Sequence, residues 1–335
     1  MKNDVVLLAH GSGGGLYHQL VNELFVPAFY DKADVLADSA VLNNQAGDLA
    51  FTTDSFVVQP RKFSGGDIGH LAVCGTVNDL AVSGAVPKYL SAGFIIEEGL
   101  SITELKDICA SMAKTAKEAG VAIVTGDTKV VKAGQADGIY INTAGIGFMP
   151  KGRKLDSRLL GEGDVIILSG TMGDHGATVM AAREAFAFSE NLQSDAVPLN
   201  GLIEVLLKAV PNTKVLRDPT RGGVATTLNE WCEEANVTIE LEEATLPIKP
   251  EVQSFCDILG LEPLYVANEG KFLVGLPQEF AEAALKALKS HPLGKDAAVI
   301  GRVTKNNQAQ VYLNTAYGSQ RILQMLSGAQ LPRIC

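Results

Sequence analysis

Four aspartates lie where predicted strands or helices meet turns, each flanked by apolar or small residues: Asp38, Asp54, Asp79 and Asp127. Mg²⁺ prefers oxygen ligands and is usually held by a few carboxylates together with substrate phosphates, so aspartates converging in one cleft would form a metal site. Alternatively, each aspartate caps a helix or starts a turn, as Asp commonly does. Asp79 differs because Asn78 and Asp79 interrupt an otherwise apolar helix, and a buried carboxylate needs a counter-charge or a metal.

Glycine-rich turns are a second feature, because the backbone amides they expose can cradle phosphates. These clusters lie at 10–15, at 64–67, which ends in Asp67, at 170–176 and at 220–223. None is a Walker A loop or a dinucleotide fingerprint, and turn formation alone also explains them. In the last cluster Arg221 precedes Gly222 and Gly223 at a predicted helix start, where a guanidinium could reach a phosphate oxygen.

Three further side chains are suited to covalent or proton-transfer chemistry. Lys129 follows Asp127 in a turn and Glu269 lies between two apolar segments, so they could stabilise developing charge and act as a general base, or simply form surface ion pairs. Cys335 ends the chain. Because an extended tail from about residue 326 could sweep on the order of 30 Å, this thiol suits a carried chemical group, although a frayed terminus is the alternative.

Composition limits the possible functions. The chain has 335 residues, 47% hydrophobic and 20% charged, which indicates a globular protein large enough for two domains. Its net charge of −10, without a basic cluster, argues against nucleic acid as a partner. The apolar run near the N-terminus is too short for a signal peptide, so we expect a cytoplasmic protein. Five widely spaced cysteines predict neither a structural disulfide nor a zinc site.

The sequence predicts helices and strands in two halves. Ser101 and Glu104 form a capping box and apolar residues follow at helical spacing until Gly120, so a helix is predicted over 101–119. Other helices are predicted near 68–82, 175–188, 200–209, 223–235 and 278–290. Strands are predicted near 51–58, 121–124, 138–148, 165–168, 236–241, 264–267, 271–276, 298–303 and 309–313. A basic turn at 149–153 separates the halves, and we place a domain boundary there.

The order of these motifs resembles the ATP-dependent aminoimidazole ribonucleotide synthetase (PurM-like) superfamily over nearly the whole chain. The resemblance rests on segments 38–41, 53–54, 66–69, 78–81, 84–87, 126–128, 173–176 and 220–223. Within that superfamily, segments 10–14, 126–130 and 268–270 and the Pro332-Arg333-Ile334-Cys335 ending are similar to the hydrogenase-maturation carbamoyl dehydratases.

The resemblance implies a two-domain α/β (α+β) fold with ATP and Mg²⁺ as cofactors. The expected domains are 1–150, which binds ATP and magnesium and dimerises through a barrel-like interface, 151–322, and a mobile tail over 323–335. The implied metal ligands are Asp38, Asp54, Asp79 and Asp127. The implied cofactor-binding residues are these four and Asp67, Asn78, Arg221, Gly222 and Gly223. The implied catalytic residues are Cys335, Glu269 and Lys129.

The resemblance also implies a reaction and partners. A carbamoyl group placed on Cys335 by the carbamoyltransferase HypF would be dehydrated with ATP to an S-cyanide, the precursor of the cyanide ligand of nickel-iron hydrogenases. The cyano group would pass to a HypC–HypD complex. Two rival enzymes of the superfamily are a selenophosphate synthetase, disfavoured because no cysteine lies near the N-terminal glycine loop, and a thiamine-phosphate kinase, disfavoured by the terminal cysteine. A non-catalytic thiol carrier is a further alternative.

Overall fold

A computed structural model describes residues 4–11, 15–29, 42, 47–184, 191–304 and 308–326. Asp38 and Cys335 lie outside these residues. The α-helices are α1 Gly15–Leu20, α2 Val26–Phe29, α3 Ile68–Val82, α4 Ile102–Ala119, α5 Asp174–Arg183, α6 Asn200–Ala209, α7 Gly223–Ala235, α8 Pro250–Leu259 and α9 Ala281–Lys289. A π-helical turn covers Val21–Phe25, and 3₁₀ helices cover Leu8–Gly11, Ser157–Leu159, Glu243–Thr245, Pro263–Tyr265, Gln278–Phe280 and Pro292–Gly294.

The strands fall into two main sheets and one short hairpin. They are β1 Leu49–Phe56, β2 Lys62–Phe63, β3 Gly66–Asp67, β4 Val86–Glu97, β5 Ala122–Val131, β6 Ile139–Phe148, β7 Asp164–Leu168, β8 Val215–Arg217, β9 Thr238–Glu242, β10 Leu273–Pro277, β11 Ala298–Thr304, β12 Val311–Asn314 and β13 Gln320–Leu323. No helix among the described residues is long and apolar enough to cross a membrane.

The first sheet has four strands in the order β1-β6-β4-β5. Helices α3 and α4 pack together on one side of the N-terminal part, and α3 covers β1 and β6. Helix α4 begins where the Ser101 side chain accepts a hydrogen bond from the Glu104 N–H, and it ends at Gly120, whose φ of 69° suits glycine. The opposite face of the sheet exposes apolar side chains, including Phe51 at 65% and Leu49 at 57%.

The second sheet has seven strands in the order β13-β12-β9-β11-β7-β10-β8. Strand β7 is buried along its whole length, because alternate residues face helices on both sides of the sheet. Ile166 and Leu168 pack in a core with α7, whereas Val165 and Ile167 pack in a core with α6 and α9. The second core also takes in the last turn of α3, so the two sheets are joined by shared packing.

Most predicted elements match observed ones to within a few residues. The helices predicted over 101–119, 68–82, 200–209 and 223–235 correspond to α4, α3, α6 and α7. The strand predicted at 264–267 is wrong, because Pro263–Tyr265 forms a 3₁₀ turn there. The predicted helix near 175–188 is α5, which ends at Arg183, and residues 185–190 lie outside the described part of the chain. Strands β2, β3, β4, β8 and β13 and helices α1, α2 and α8 are not predicted by the sequence.

Candidate active site

Helix α3 carries two polar side chains at its C-terminal end, where the two sheets meet. Thirteen of its residues are buried, among them Asn78, whereas Asp79 is half-buried. The Thr52 hydroxyl of β1 donates to Asp79 Oδ2 at 3.0 Å. Asp54, two residues further along β1, faces the same helix, with its Oδ2 3.6 Å from the position that a Cβ on Gly75 would take. Asp54 and Asp79 therefore line one side of the junction.

The other side of the junction comes from the loop between β8 and α7. Asp218 is 8% exposed and follows β8 directly. Arg221 Nη2 lies 3.1 Å from Asp54 Oδ1, so this loop reaches across to the first sheet. Gly222 and Gly223 then begin α7 at φ values of 71° and 62°, and no side chain caps the helix. A Cβ on Gly223 would stand 2.5 Å from the Leu264 carbonyl oxygen, so the close approach requires glycine.

Glu269 lies in a turn that is buried against both of these groups. Glu269 is only 3% exposed to solvent. The preceding Asn268 fixes the turn, since its side chain accepts from Gly173 N at 2.7 Å and donates to the Pro219 carbonyl at 3.1 Å. We call Asp54, Asp79, Asp218 and Glu269 the carboxylate cluster. A groove of about 550 Å³ between the two sheets reaches it at Asp79 and Asp218.

Three members of the carboxylate cluster, Asp79, Asp218 and Glu269, have raised pKa values. Burial raises the pKa of Glu269 well above its ordinary value, and the charges of Asp218 and Asp195 add to this. Burial and the charge of Asp79 raise the pKa of Asp218 to about 7. Burial also raises the pKa of Asp79, against the opposing hydrogen bond from Thr52. A cation placed among these groups would favour their ionised forms.

The structure does not bring all the predicted residues to this cluster. Asp127 and Lys129 form an exposed ion pair of 2.6 Å. Asp127 is in register with Gly93, Asn142 and Ser55, a row on the face of the first sheet opposite Asp54. The hydrogen bond from Lys129 lowers the pKa of Asp127.

Two other predicted ligands already have partners. Asp67 caps α3 by accepting from His70 N at 2.8 Å. It is at the opposite end of the helix from Asp79, about 18 Å along the axis. The Asn78 amide donates to the Val197 and Glu269 carbonyls, both at 3.1 Å, and accepts from Leu199 N at 2.8 Å. Asn78 therefore holds the two sheets together directly behind the cluster.

The four cysteines that the structure describes are poor candidates for a carried group. All four are buried free thiols: Cys74, Cys109, Cys232 and Cys256. Burial raises the pKa of Cys232 to about 12 and that of Cys256 to about 11, so neither is a ready thiolate. Cys335, the predicted carrier, lies outside the described residues, as does Asp38.

The residues of the cluster suit magnesium that is bound together with a phosphate group, rather than magnesium held by side chains alone. Among the described residues, no three Asp, Glu, His or Cys side chains are arranged to hold a metal ion unaided. Mg²⁺ is, however, commonly bound by one or two carboxylates together with substrate phosphates. Asp54 and Asp79, with Arg221 and the start of α7 beside them, suit a metal–phosphate group of this kind.

Sequence reasoning missed two residues of this region. Asp218 directly follows β8 and precedes the Arg221 loop, so its place at a strand end was a usable signal. Asp195 gave no such signal, because it lies in the irregular segment 191–199, which has no helix or strand periodicity.

Comparison with known proteins places the chain in a family. Residues 36–149 and 161–314 match the family models described as AIR synthase related protein, N-terminal domain and C-terminal domain. A curated relative from Rhodobacter capsulatus, Carbamoyl dehydratase HypE, is 47% identical over 340 residues, which cover 100% of this chain and 99% of the relative.

Solved structures agree with the sequence relatives. The crystal structure of Hydrogenase Maturation Protein HypE in complex with ATP matches with a TM-score of 0.94 at 47% identity, covering 98% of this chain and 99% of that one. HypE in a HypE–HypF complex matches with a TM-score of 0.80 at 48% identity, covering 93% and 99%. The predicted two-domain PurM-like α/β fold is confirmed. The chain therefore belongs to the carbamoyl dehydratase HypE family of AIR synthase related proteins.

Proposed function

We propose that this protein uses ATP to dehydrate an S-carbamoyl group on Cys335 to an S-cyanide, which supplies the cyanide ligand of a nickel-iron hydrogenase. The carboxylate cluster facing Arg221 and the start of α7 is the observation that carries this proposal. It combines acidic groups for a metal-bound triphosphate with a buried carboxylate, Glu269, for proton transfer. The name of the Rhodobacter capsulatus relative and the ATP complex of its structural counterpart support the same reaction.

The chemistry requires activation of a poor leaving group. The carbamoyl oxygen attacks the γ-phosphorus of ATP, the bond from that phosphorus to the bridging oxygen breaks, and ADP leaves. One N–H proton is lost as the O-phosphorylated group forms. Loss of the second N–H proton and cleavage of the C–O bond release phosphate and leave the S-bound nitrile. The oxygen and two hydrogens of water are thus removed, with no oxidation or reduction.

We assign roles to the residues of the cluster on this basis. Glu269 accepts a carbamoyl N–H proton: its raised pKa makes its carboxylate a stronger base than that of an ordinary glutamate, and a bound cation would favour the ionised form that this role requires. Asp54 and Asp79 would hold Mg²⁺, together with Asp38, and Arg221 would approach a phosphate oxygen. Bound magnesium would neutralise charge on the transferring phosphoryl group.

Asp127 and Lys129 would take part only in an assembled dimer, because they lie on the opposite face of the first sheet from Asp54. We propose that two copies of the chain pack through this face, where Phe51 and Leu49 are exposed. HypF is the proposed carbamoyl donor, in keeping with the HypE–HypF complex of the structural counterpart. A HypC–HypD complex is the proposed cyanide acceptor.

The start of the C-terminal tail lies within reach of Glu269. The Tyr265 hydroxyl donates to the Gln324 carbonyl at 2.7 Å. Tyr265 precedes Glu269 by four residues, so this bond holds the start of the tail near the Glu269 turn. From residue 326 to Cys335 an extended chain spans about 30 Å. The tail is therefore long enough to bring the thiol to the carboxylate cluster and to withdraw it.

Mass spectrometry of the C-terminal peptide tests the proposal. After incubation with the carbamoyl donor the peptide should gain a carbamoyl group, and after ATP and Mg²⁺ are added it should lose one water. Cys335→Ala should bind ATP and accept no carbamoyl group, because a terminal side chain contributes little to the core. A carbamoyl adduct found instead on a buried cysteine, or cyano product from Cys335→Ala, would rule out the carrier role.

A further inference from the structure

The turn that presents Glu269 is held through its main chain by two side chains from outside the turn. Asp195 Oδ1 accepts from Glu269 N at 3.2 Å, and Asp195 Oδ2 accepts from Gly270 N at 3.1 Å. On the other side, the Asn78 amide donates to the Glu269 carbonyl at 3.1 Å. The backbone of Glu269 thus has its donor and its acceptor fixed by charged or amide groups, which sets the direction of its Cα–Cβ bond.

Asp195 is itself fixed in an ionised form. Its side chain is 2% exposed and lies 3.4 Å from Lys271 Nζ. Burial acts to raise the pKa of Asp195, but Lys271, His175 and the two backbone N–H groups outweigh it, so the pKa is lowered. The backbones are also in contact, because a Cβ on Gly270 would stand 1.7 Å from the Asp195 carbonyl oxygen. The Asp195 carboxylate, the Lys271 ammonium group and the Glu269 turn therefore form one rigid unit.

The segment 194–199 ties this unit to helix α3 and to the turn between β2 and β3. Ser194 N donates to the Ser64 carbonyl at 3.0 Å, and His70 Nε2 donates to the Ala196 carbonyl at 2.7 Å. The Asn78 side chain bonds the same segment at Val197 and Leu199. A shift of one sheet relative to the other would therefore move Asp195, and with it the Glu269 turn.

We propose that Asp195 is a positioning residue for Glu269: by accepting both N–H groups of the turn it sets the direction of the Glu269 carboxylate and couples that direction to the contact between the two domains. This inference rests on the proposed function, in which Glu269 takes a carbamoyl proton. A misplacement of about 1 Å can cost on the order of 100-fold in rate, so the orientation of the base matters as much as its presence.

Asp195→Asn tests the inference, because it keeps the size of the side chain and removes the charge that serves both N–H groups. The rate at which carbamoyl-Cys335 is converted to the cyano form should fall on the order of 10- to 100-fold, with the ATP dissociation constant unchanged within about twofold. Asp164→Asn is the matched control. Asp164 is also buried and paired with a lysine, Lys214 at 2.7 Å, but it lies at the far end of β7. Its rate should stay within about twofold of the wild-type rate.

A double-mutant cycle separates positioning from general destabilisation. Since Asp195 acts through Glu269, Asp195→Asn should cost less than about twofold when Glu269→Gln is already present. A merely structural role would cost the same factor in both backgrounds and would contradict the inference. So would a wild-type rate in Asp195→Asn, or a fall in rate matched by weaker ATP binding. If the wild-type chain forms no cyano adduct, the proposed function itself fails; if it does and Asp195→Asn equals it, the inference alone fails.

Discussion

At the scale of single residues, the site is marked by buried carboxyl groups whose ionised forms are disfavoured by burial and by one another's charge. Asp218 shows this most clearly, since burial and the charge of Asp79 raise its pKa to about 7. A carboxyl group kept neutral in this way costs the folded state stability once it must ionise. A cation bound among these groups would offset that cost by favouring their ionised forms.

The raised pKa of Asp218 predicts how stability depends on pH. Between about pH 4 and pH 7 the unfolded chain loses this proton while the folded chain keeps it, so the free energy of unfolding falls as pH rises. Asn cannot ionise, so Asp218→Asn should escape this fall. Without nucleotide or metal, the melting temperature of Asp218→Asn minus that of wild type should be a few degrees larger at pH 8 than at pH 5, as measured by calorimetry. Asp107→Asn, an exposed change on α4, serves as control, and an equal difference at both pH values for Asp218→Asn would contradict the assignment.

At the scale of elements, the sequence predicts features that depend on neighbouring residues, such as helix ends. It fails where contacts between distant residues decide which element forms. Helix α4 was predicted at both ends, because Ser101 and Gly120 act within a few residues of themselves. Strand β4 was missed although it is the longest strand, since Pro87 and a register shift between Pro87 and Tyr89 break its alternation. The apolar run near 264–267 predicts a strand that does not form, because so short a run carries no decisive periodicity.

The candidate site shows the same division. Asp54 is predicted because it lies where a strand meets a turn among small residues, and Asp79 because it interrupts an apolar helix. The structure places both near Arg221, which the glycine motif indicates. The separation of Asp127 from them could not be predicted, because it depends on which face of the sheet each strand presents. A shift of one residue in strand register exchanges the two faces, and sequence fixes register only weakly.

Helix α3 carries Asp79, a proposed metal ligand, next to Asn78, which bonds the backbone of the proposed base Glu269, and this gives a prediction for Asn78. Asn78→Asp keeps the shape of the side chain but removes both donors, so the carbonyls of Val197 and Glu269 lose their partners and face a charge. We expect a loss of about 2–4 kcal/mol in the free energy of unfolding, measured by urea denaturation, because each unmet buried group costs about 1–3 kcal/mol.

Asn229→Asp is the matched control for this prediction. Asn229 is a buried asparagine of α7 whose amide also donates to two carbonyls, those of Ala225 and Leu323. Both variants should be destabilised. At a temperature where both are folded, Asn78→Asp should convert the carbamoyl adduct at least about tenfold more slowly than Asn229→Asp. Equal rates would mean that the bond from Asn78 to Glu269 does not position the base.

At the scale of the whole molecule, the residues proposed for the chemistry lie on two faces of the first sheet. Helix α3, Asp54 and the contact with the second sheet lie on one face, whereas Asp127 and Lys129 lie on the other, beside exposed apolar residues. An exposed apolar sheet face on an otherwise well-packed protein typically marks an interaction surface. The sequence predicted a dimer only through its family resemblance, because no local pattern distinguishes a face that packs on a helix from one that packs on a second copy.

This arrangement predicts that Phe51→Asp separates a dimer. Phe51 is 65% exposed on the open face of β1, so a carboxylate there would be buried without a partner in a dimer interface and would leave the monomer almost unaffected. Light scattering should give about twice 35.3 kDa for wild type and close to 35.3 kDa for the variant. Tyr317→Asp, at a side chain 98% exposed on the turn between β12 and β13, should remain a dimer. Because Asp127 and Lys129 share the face with Phe51, the monomeric variant should also lose dehydration of the carbamoyl adduct. Its melting temperature should stay near that of the control. A monomer with full activity would show that neither residue acts across the interface.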